Sequence, residues 1–271
     1  MKHADVGIMN RTSIWLNGIM GFAVGDALGA PAEFGQRWMR DMDPVKEMRS
    51  GGIFDVPEGG WTDDTSMTIA TLESLKNGFE PEDMMKRFFS WYRTGEYSWC
   101  GKPIGVGKQI LRALERYEEN QDINTCGLYY FLVAAILDKR GDIRECICYG
   151  LKQGVDYYVS EPEPCYFARL NDFKAFCQID RDLIKSSGYV VETLEAVVWC
   201  LVTTDTIKDC LLKAVNLGLD TDTIAALAGG LAGLYYGYDE NQKEWLEVLK
   251  LRDELEQLCD WFDRRFRLLI V

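Results

Sequence analysis

Two stretches of the chain carry a small residue at every fourth position: Gly21, Gly25 and Gly29 near the start, and Ala225, Gly229, Gly233 and Gly237 near the end. That interval keeps side chains on one face of an α-helix. Glycine inside a helix costs about 1 kcal/mol relative to alanine. A glycine stripe therefore suggests that another backbone approaches closely, and the two stripes can face each other as small-residue faces do in tightly packed helices. The alternative is that some of these glycines sit in loops or at caps. On either reading the core is expected to form around these two segments.

The remaining pattern is also helical. Met67, Ala70 and Leu75 recur at helical spacing, as do Met84, Phe88 and Trp91 within Pro81–Tyr92. Further helices are predicted over Ile104–Tyr117, Leu128–Leu137, Ile143–Leu151, Val190–Val202, Ile207–Leu217, Thr223–Tyr236 and Trp245–Phe266. Alternating strand patterns are scarce. Loops are marked by Ser50-Gly51-Gly52, Glu58-Gly59-Gly60, Asn120–Asn124 and Glu161–Pro164, none long enough for an interdomain linker. The expected fold is all-α: one compact domain of crossing helices spanning residues 1–271.

Composition narrows the chemistry. Asp plus Glu number 43 against 30 Lys plus Arg, a net charge of −13. With no dense basic cluster, nucleic acid and anionic membrane are poor partners. The one histidine, His3, lies near the terminus, which argues against Ser-His-Asp and Cys-His catalysis and imidazole-bound zinc. The nine cysteines form no C-x-x-C pair and read as reduced core thiols of a cytoplasmic protein. The most apolar stretch, Ile14–Ala32, is interrupted by Asn17 and Asp26 and reads as a buried helix, not a membrane span. No signal peptide is recognisable.

Three acidic segments remain. Gly25-Asp26-Ala27-Leu28-Gly29-Ala30-Pro31-Ala32-Glu33 puts an Asp inside the apolar run and a Glu just after it. Trp61-Thr62-Asp63-Asp64-Thr65 and Gly218-Leu219-Asp220-Thr221-Asp222-Thr223 each open a predicted helix. Either motif alone is explained by helix capping. Together they hold more carboxylates than caps need, and carboxylates drawn together repel unless cations lie between them. Oxygen ligands select hard ions such as Mg²⁺ or Mn²⁺, and the loops lack the calcium-hand pattern.

The strings GFAVGDALGAPAEF, GGWTDDTSMT, GEYSWCG, SSGYVVETLEAVVWCL and VNLGLDTDTIAALAGGLAGLYYG resemble the ADP-ribosylglycohydrolase family over nearly the whole chain. The resemblance implies an all-α fold with two divalent cations, Mg²⁺ or Mn²⁺, in a cleft. Thr62, Asp63 and Asp64 would ligate from one side, and Asp220, Asp222 and Thr223 from the other. Glu33 matches the acid near the scissile bond, so Glu33, Asp63 and Asp222 are the expected catalytic set. Asp26 is expected to support the site rather than react. Ser187, Gly188 and Tyr189 resemble a segment lining the ADP-ribose pocket, where Tyr189 stacks on adenine or packs as a buried tyrosine. Gly105 and Gly107 belong to a glycine loop over that pocket; the G-K-P-I-G-V-G-K string of Gly101–Lys108 lacks the Ser or Thr of a phosphate loop.

The implied activity is hydrolysis of the bond between ADP-ribose and an acceptor on a protein or a small molecule, by a cytoplasmic monomer. Three departures stand out. Gly105 occupies the place of an Asp in the F-D-I-G string of many bacterial members. The N-G-S-L-M-R-x-x-P loop has become Asn124–Leu132, without its Arg and Pro. The T-H-x-H segment has no counterpart. The alternative expectation is therefore a protein that binds ADP-ribose, or blocks a partner, on the same scaffold without hydrolysis.

Overall fold

The structure is a computed structural model. It describes residues 13–108, 110–111, 114, 128–138, 141–157, 168–238 and 242–266. His3, Cys126, Cys165, the predicted Asn120–Asn124 and Glu161–Pro164 loops and Asn124–Gly127 lie outside the described residues.

The helices run α1 Ile14–Gly29, α2 Arg37–Met42, α3 Asp63–Leu75, α4 Pro81–Thr94, α5 Leu128–Leu137, α6 Ile143–Tyr157, α7 Ala168–Asn171, α8 Phe173–Phe176, α9 Val190–Val202, α10 Ile207–Val215, α11 Thr221–Tyr236, α12 Lys243–Val248 and α13 Arg252–Phe266. Among the described residues the β-structure is one isolated bridge, Gly51 with Val56. The all-α expectation holds.

Helix α1 starts at Ser13, whose hydroxyl accepts from the Leu16 amide. It is apolar around its circumference and lies buried from Met20 to Gly29 save for the partly exposed Phe22. Its most extensive partner is α11, and the two stripes do face each other. A β-carbon added at Gly21 would lie 2.2 Å from the Gly229 carbonyl oxygen, and one at Gly25 2.1 Å from that of Ala225. The reciprocal additions at Gly229 and Gly233 would meet the Gly21 and Asn17 carbonyls at 2.2 and 2.1 Å. Backbone lies on backbone, which only glycine permits here. Gly237 is different: it is the C-cap of α11, at φ 72°, the cap alternative realised at one position.

Helix α10 packs on both of them and α9 packs on α11 and α10, and Val197, Val198, Leu201, Leu211 and Ile224 are fully buried there. Burial of each such side chain stabilises by about 1.5–3 kcal/mol. Two satellite clusters flank this core: Ala30, Val56 and Ile104 in one, and Leu72, Leu258 and Phe262 between α3 and α13 in the other.

Two expectations need correction. The helix predicted over Trp245–Phe266 is two helices, broken at Leu249–Leu251. The Lys250 amide donates to the Gly59 carbonyl at 3.0 Å, Leu251 turns to φ 47°, and Gly59 presses on the Val248 carbonyl. A contact distant in sequence thus overrides an unbroken apolar period. In Ile104–Tyr117, Ile104–Gly107 are loop; beyond Leu111, Leu114 alone is among the described residues. Helix α2, which the pattern did not predict, is held by tertiary bonds: the Arg37 guanidinium donates to the Leu217, Arg181 and Ile184 carbonyls. No described helix is long and apolar enough to cross a membrane. Cys146, Cys200, Cys210 and Cys259 are buried, while Cys148 is exposed.

Candidate active site

The close packing of α1 on α11 brings three chain segments together at the C-terminal end of α1. A β-carbon on Gly29 would lie 2.4 Å from the α-carbon of Asp222, and the Thr221 hydroxyl donates to the Gly29 carbonyl at 2.9 Å. The N-terminus of α11 is thereby fixed beside the turn that carries Glu33.

Asp26 fixes the third segment. Its Oδ1 accepts from the Thr62 amide and hydroxyl, both at 2.9 Å, and its Oδ2 from the Thr65 amide at 3.0 Å and hydroxyl at 2.7 Å. One carboxylate thus clamps the first turn of α3 onto α1. Burial pushes its pKa up, and the Thr65 and Thr62 bonds pull it back. Asp26 thereby holds Thr62 and Thr65 in place.

Capping does not explain the two motifs. Thr62 and Asp220 occupy the N-cap positions of α3 and α11, yet neither makes a side-chain capping bond. The Thr62 hydroxyl lies 2.9 Å from Asp26 Oδ1 and 3.3 Å from Asp222 Oδ2. In return, the Thr223 hydroxyl donates to Asp64 Oδ2 at 3.2 Å. The motifs interlock, with the positive ends of both helix dipoles facing the acids between them.

Carboxylate oxygens gather there in two groups, each within a 4.8 Å span: Asp26, Asp64 and Asp222, and Glu33, Asp220 and Asp222. Asp222 belongs to both. Asp63 lies outside these groups, with Oδ1 against the Gly105 backbone and an accepted bond from the Gly107 amide. Burial first, then the charges of Asp222, Asp220 and Asp63, push the Glu33 pKa up to about 9. Burial and the charges of Asp26 and Asp220 push Asp222 up to about 7. Asp63 and Asp64 rise well above the usual carboxylate range for the same reasons, and Asp220 rises through burial. Glu33 Oε2 and Asp222 Oδ1 are buried without a hydrogen-bond partner. Buried oxygens of like charge with unfilled acceptor capacity, all hard donors, fit divalent cations of the Mg²⁺ or Mn²⁺ class.

The glycine loop lies against Asp63 and Thr62. Gly105 has φ 80°, and a β-carbon there would lie 2.6 Å from Asp63 Oδ1 and 2.8 Å from the Thr62 β-carbon. On the other flank, the Asp220 amide donates to the Ser186 carbonyl at 3.0 Å. Gly188 follows, its β-carbon position 3.5 Å from Asp220 Oδ2. Ser187 donates to Glu192 and accepts from the Tyr189 amide at 3.2 Å. Tyr189 is the N-cap of α9 and is 50% exposed; of its two expected roles, packing as a buried side chain does not occur. Sequence reasoning missed Thr65, although it stands inside the quoted T-D-D-T string. It also missed the backbone pairing of Phe34 and Gly35 with Leu219, for which neither residue type is a signal.

A model of the ADP-ribosylglycohydrolase family matches residues 10–125 and 118–269. The chain belongs to this family. Among its relatives, ADP-ribosylarginine hydrolase Tri1 of Serratia proteamaculans is 30% identical, over 89% of this chain and 76% of that one. The ADP-ribosyl-[dinitrogen reductase] glycohydrolase of Rhodospirillum rubrum is 28% identical, over 89% and 92%. A solved structure described as an ADP-ribosylglycohydrolase-related protein complex superposes with a TM-score of 0.69 at 28% identity, covering 92% of this chain and 96% of that one. The ADP-ribosylglycohydrolase fold is present in this chain.

Proposed function

We propose that this chain hydrolyses the N- or O-glycosidic bond between ADP-ribose and an acceptor on a protein or a small molecule, with two divalent cations, Mg²⁺ or Mn²⁺, in the carboxylate cluster. The observation that carries this reading is the double membership of Asp222, whose carboxylate joins the acids behind α3 to those beside Glu33. Thr62, Asp63, Asp64, Asp220, Asp222 and Thr223 are the groups that would hold the ions. Cations bound there supply fixed positive charge that orients ribose hydroxyls and a water.

The chain's own residues do the rest. Cleavage at the anomeric carbon builds positive charge on the ribose ring. Glu33 holds or moves the proton: as a base it takes one from the attacking water, and as an acid it gives one to the departing acceptor. The new bond joins water oxygen to the anomeric carbon, and the bond to the acceptor breaks. Ser187, Gly188 and Tyr189 on one flank, and Gly105 and Gly107 on the other, would border the ADP-ribose, with Tyr189 free to stack on its adenine.

The test is incubation of the purified protein with Mg²⁺ or Mn²⁺ and substrates ADP-ribosylated on arginine, serine or a nucleobase. ADP-ribose release is expected from at least one, falling to background in Asp222→Ala and Asp63→Ala. Release from none of them overturns the reading for those linkages. One observation favours the second reading, binding without turnover: Gly105 brings no side chain where the resemblance supplies an acid, and its backbone abuts Asp63 too closely to carry one. Calorimetry with ADP-ribose separates the two, since tight cation-dependent binding without release supports the second.

A further inference from the structure

Helix α9 begins without a side-chain cap: Tyr189 is its N-cap residue, and its side chain makes no capping bond. Three positions on stands Glu192, where a carboxylate commonly reaches back to the N-cap amide and closes a capping box. Here the box has an extra member. The Ser187 hydroxyl donates to Glu192, and the same hydroxyl oxygen accepts from the Tyr189 amide at 3.2 Å. A serine hydroxyl carries one proton, so its donor is committed to Glu192. Thr193 closes the other side. Its hydroxyl lies 3.1 Å from the Ser187 carbonyl and 3.3 Å from the Tyr189 carbonyl, and its amide donates to the latter at 3.0 Å. Lys185 meets Glu192 at 2.9 Å and offsets its charge.

The tied segment adjoins the acidic cluster. The Ser186 carbonyl accepts from the Asp220 amide at 3.0 Å, and the Ser186 hydroxyl donates to the Leu217 carbonyl at 3.3 Å. One end is thus held on the α11 side and the other on α9. Between these anchorages Gly188 and Tyr189 are exposed, and a β-carbon on Gly188 would lie 3.5 Å from Asp220 Oδ2. A segment fixed at both ends and open at its crest is pre-organised, because its backbone is ordered before a ligand arrives. Among its ties, the bond from Ser187 to a carboxylate is charge-assisted, the stronger kind. Glu192 acts on the flank of the cluster through that bond.

We propose that Glu192 is a positioning residue for ADP-ribose: through the Ser187 hydroxyl it holds residues 187–189 in the shape that binds the ligand, and that hydroxyl serves as a relay, not as a donor to the ligand. The choice of ligand rests on the hydrolase reading above. The experiment is calorimetric titration of free ADP-ribose, with Mg²⁺ present, into wild type, Glu192→Ala, Ser187→Ala and the double variant. Each single change should weaken affinity about tenfold. The double variant should be no weaker than either alone, because one relay is cut twice. Glu192→Gln keeps the length and an acceptor oxygen, and should bind within about threefold of wild type. Glu192→Asp keeps the charge but falls short of the hydroxyl, and should lose as much as Glu192→Ala. It also spares the negative charge at the start of α9, so it replaces alanine in the cycle if Glu192→Ala does not fold. On a linkage that wild type cleaves, Glu192→Ala should raise KM more than it lowers kcat. Three results overturn the proposal: losses that multiply in the double variant, full affinity in Glu192→Ala and Glu192→Asp, or a loss in Glu192→Gln with none in Glu192→Asp. Wild type that binds ADP-ribose but releases none from any conjugate fails the hydrolase reading alone, while wild type that binds none overturns both.

Discussion

Asp26 shows how one side chain can tie two helices together inside a site. All four bonds it accepts come from Thr62 and Thr65, so both oxygens are fully used, in contrast to Glu33 Oε2 and Asp222 Oδ1. Asp26→Asn keeps the shape but turns one acceptor into a donor facing donors. It should cost about 2–4 kcal/mol, measured as a lower denaturation midpoint, and weaken cation affinity by letting α3 shift. A midpoint equal to wild type would show that Asp26 does not clamp α3. The sequence disclosed this residue by contradiction: an Asp in an apolar helix needs a reason. The partners were not legible, because hydrogen-bond geometry does not follow from residue order.

At the scale of elements, the α1–α11 contact separates two kinds of glycine. Gly25→Ala drives a β-carbon to 2.1 Å from a carbonyl oxygen that cannot move without its helix. It should cost about 3 kcal/mol or more and, through the shift of α11, should also reduce cation affinity. Gly18→Ala meets the flexible end of Leu234 at 2.9 Å and gains about 1 kcal/mol of helix propensity, so its melting temperature should stay near wild type. Equal effects at both positions would show that backbone contact does not set the packing. The stripes were readable because glycine at a helical interval leaves few explanations. The break at Leu249–Leu251 and helix α2 were not, because each answers to a carbonyl or guanidinium from a distant segment.

For the whole molecule, the net charge of −13 is sharpest where it is buried. Without cations, Asp222 and Glu33 are pushed up to about 7 and about 9. Acids that bind protons more tightly when folded stabilise the fold at low pH and lose that contribution as pH rises through the folded-state values. The melting temperature of the cation-free protein should therefore fall from the ordinary carboxylate range up to about pH 9. Added Mg²⁺ or Mn²⁺ should raise it, by more at pH 8 than at pH 5.5, where protons compete. A thermal scan that responds to neither pH nor cation would remove the cation reading. The acids themselves were legible as a surplus over capping needs. That Asp222 would serve two groups while Asp63 stood apart was not, since each is just one of two acids in a short motif.

The Thr221 hydroxyl and the Gly29 carbonyl that seat α11 are 192 residues apart along the chain. Folding must close nearly the whole loop of polypeptide before this contact exists, and such remote pairings form slowly. Catalytic competence is therefore a late event in the life of each molecule. A ribosome still decoding the segment before Asp220 carries a chain with the Thr62–Asp64 half of its cluster and none of the other. Chains stalled or cleaved at that stage hold the acid without the architecture to use it, so activity reports completed synthesis as well as correct folding.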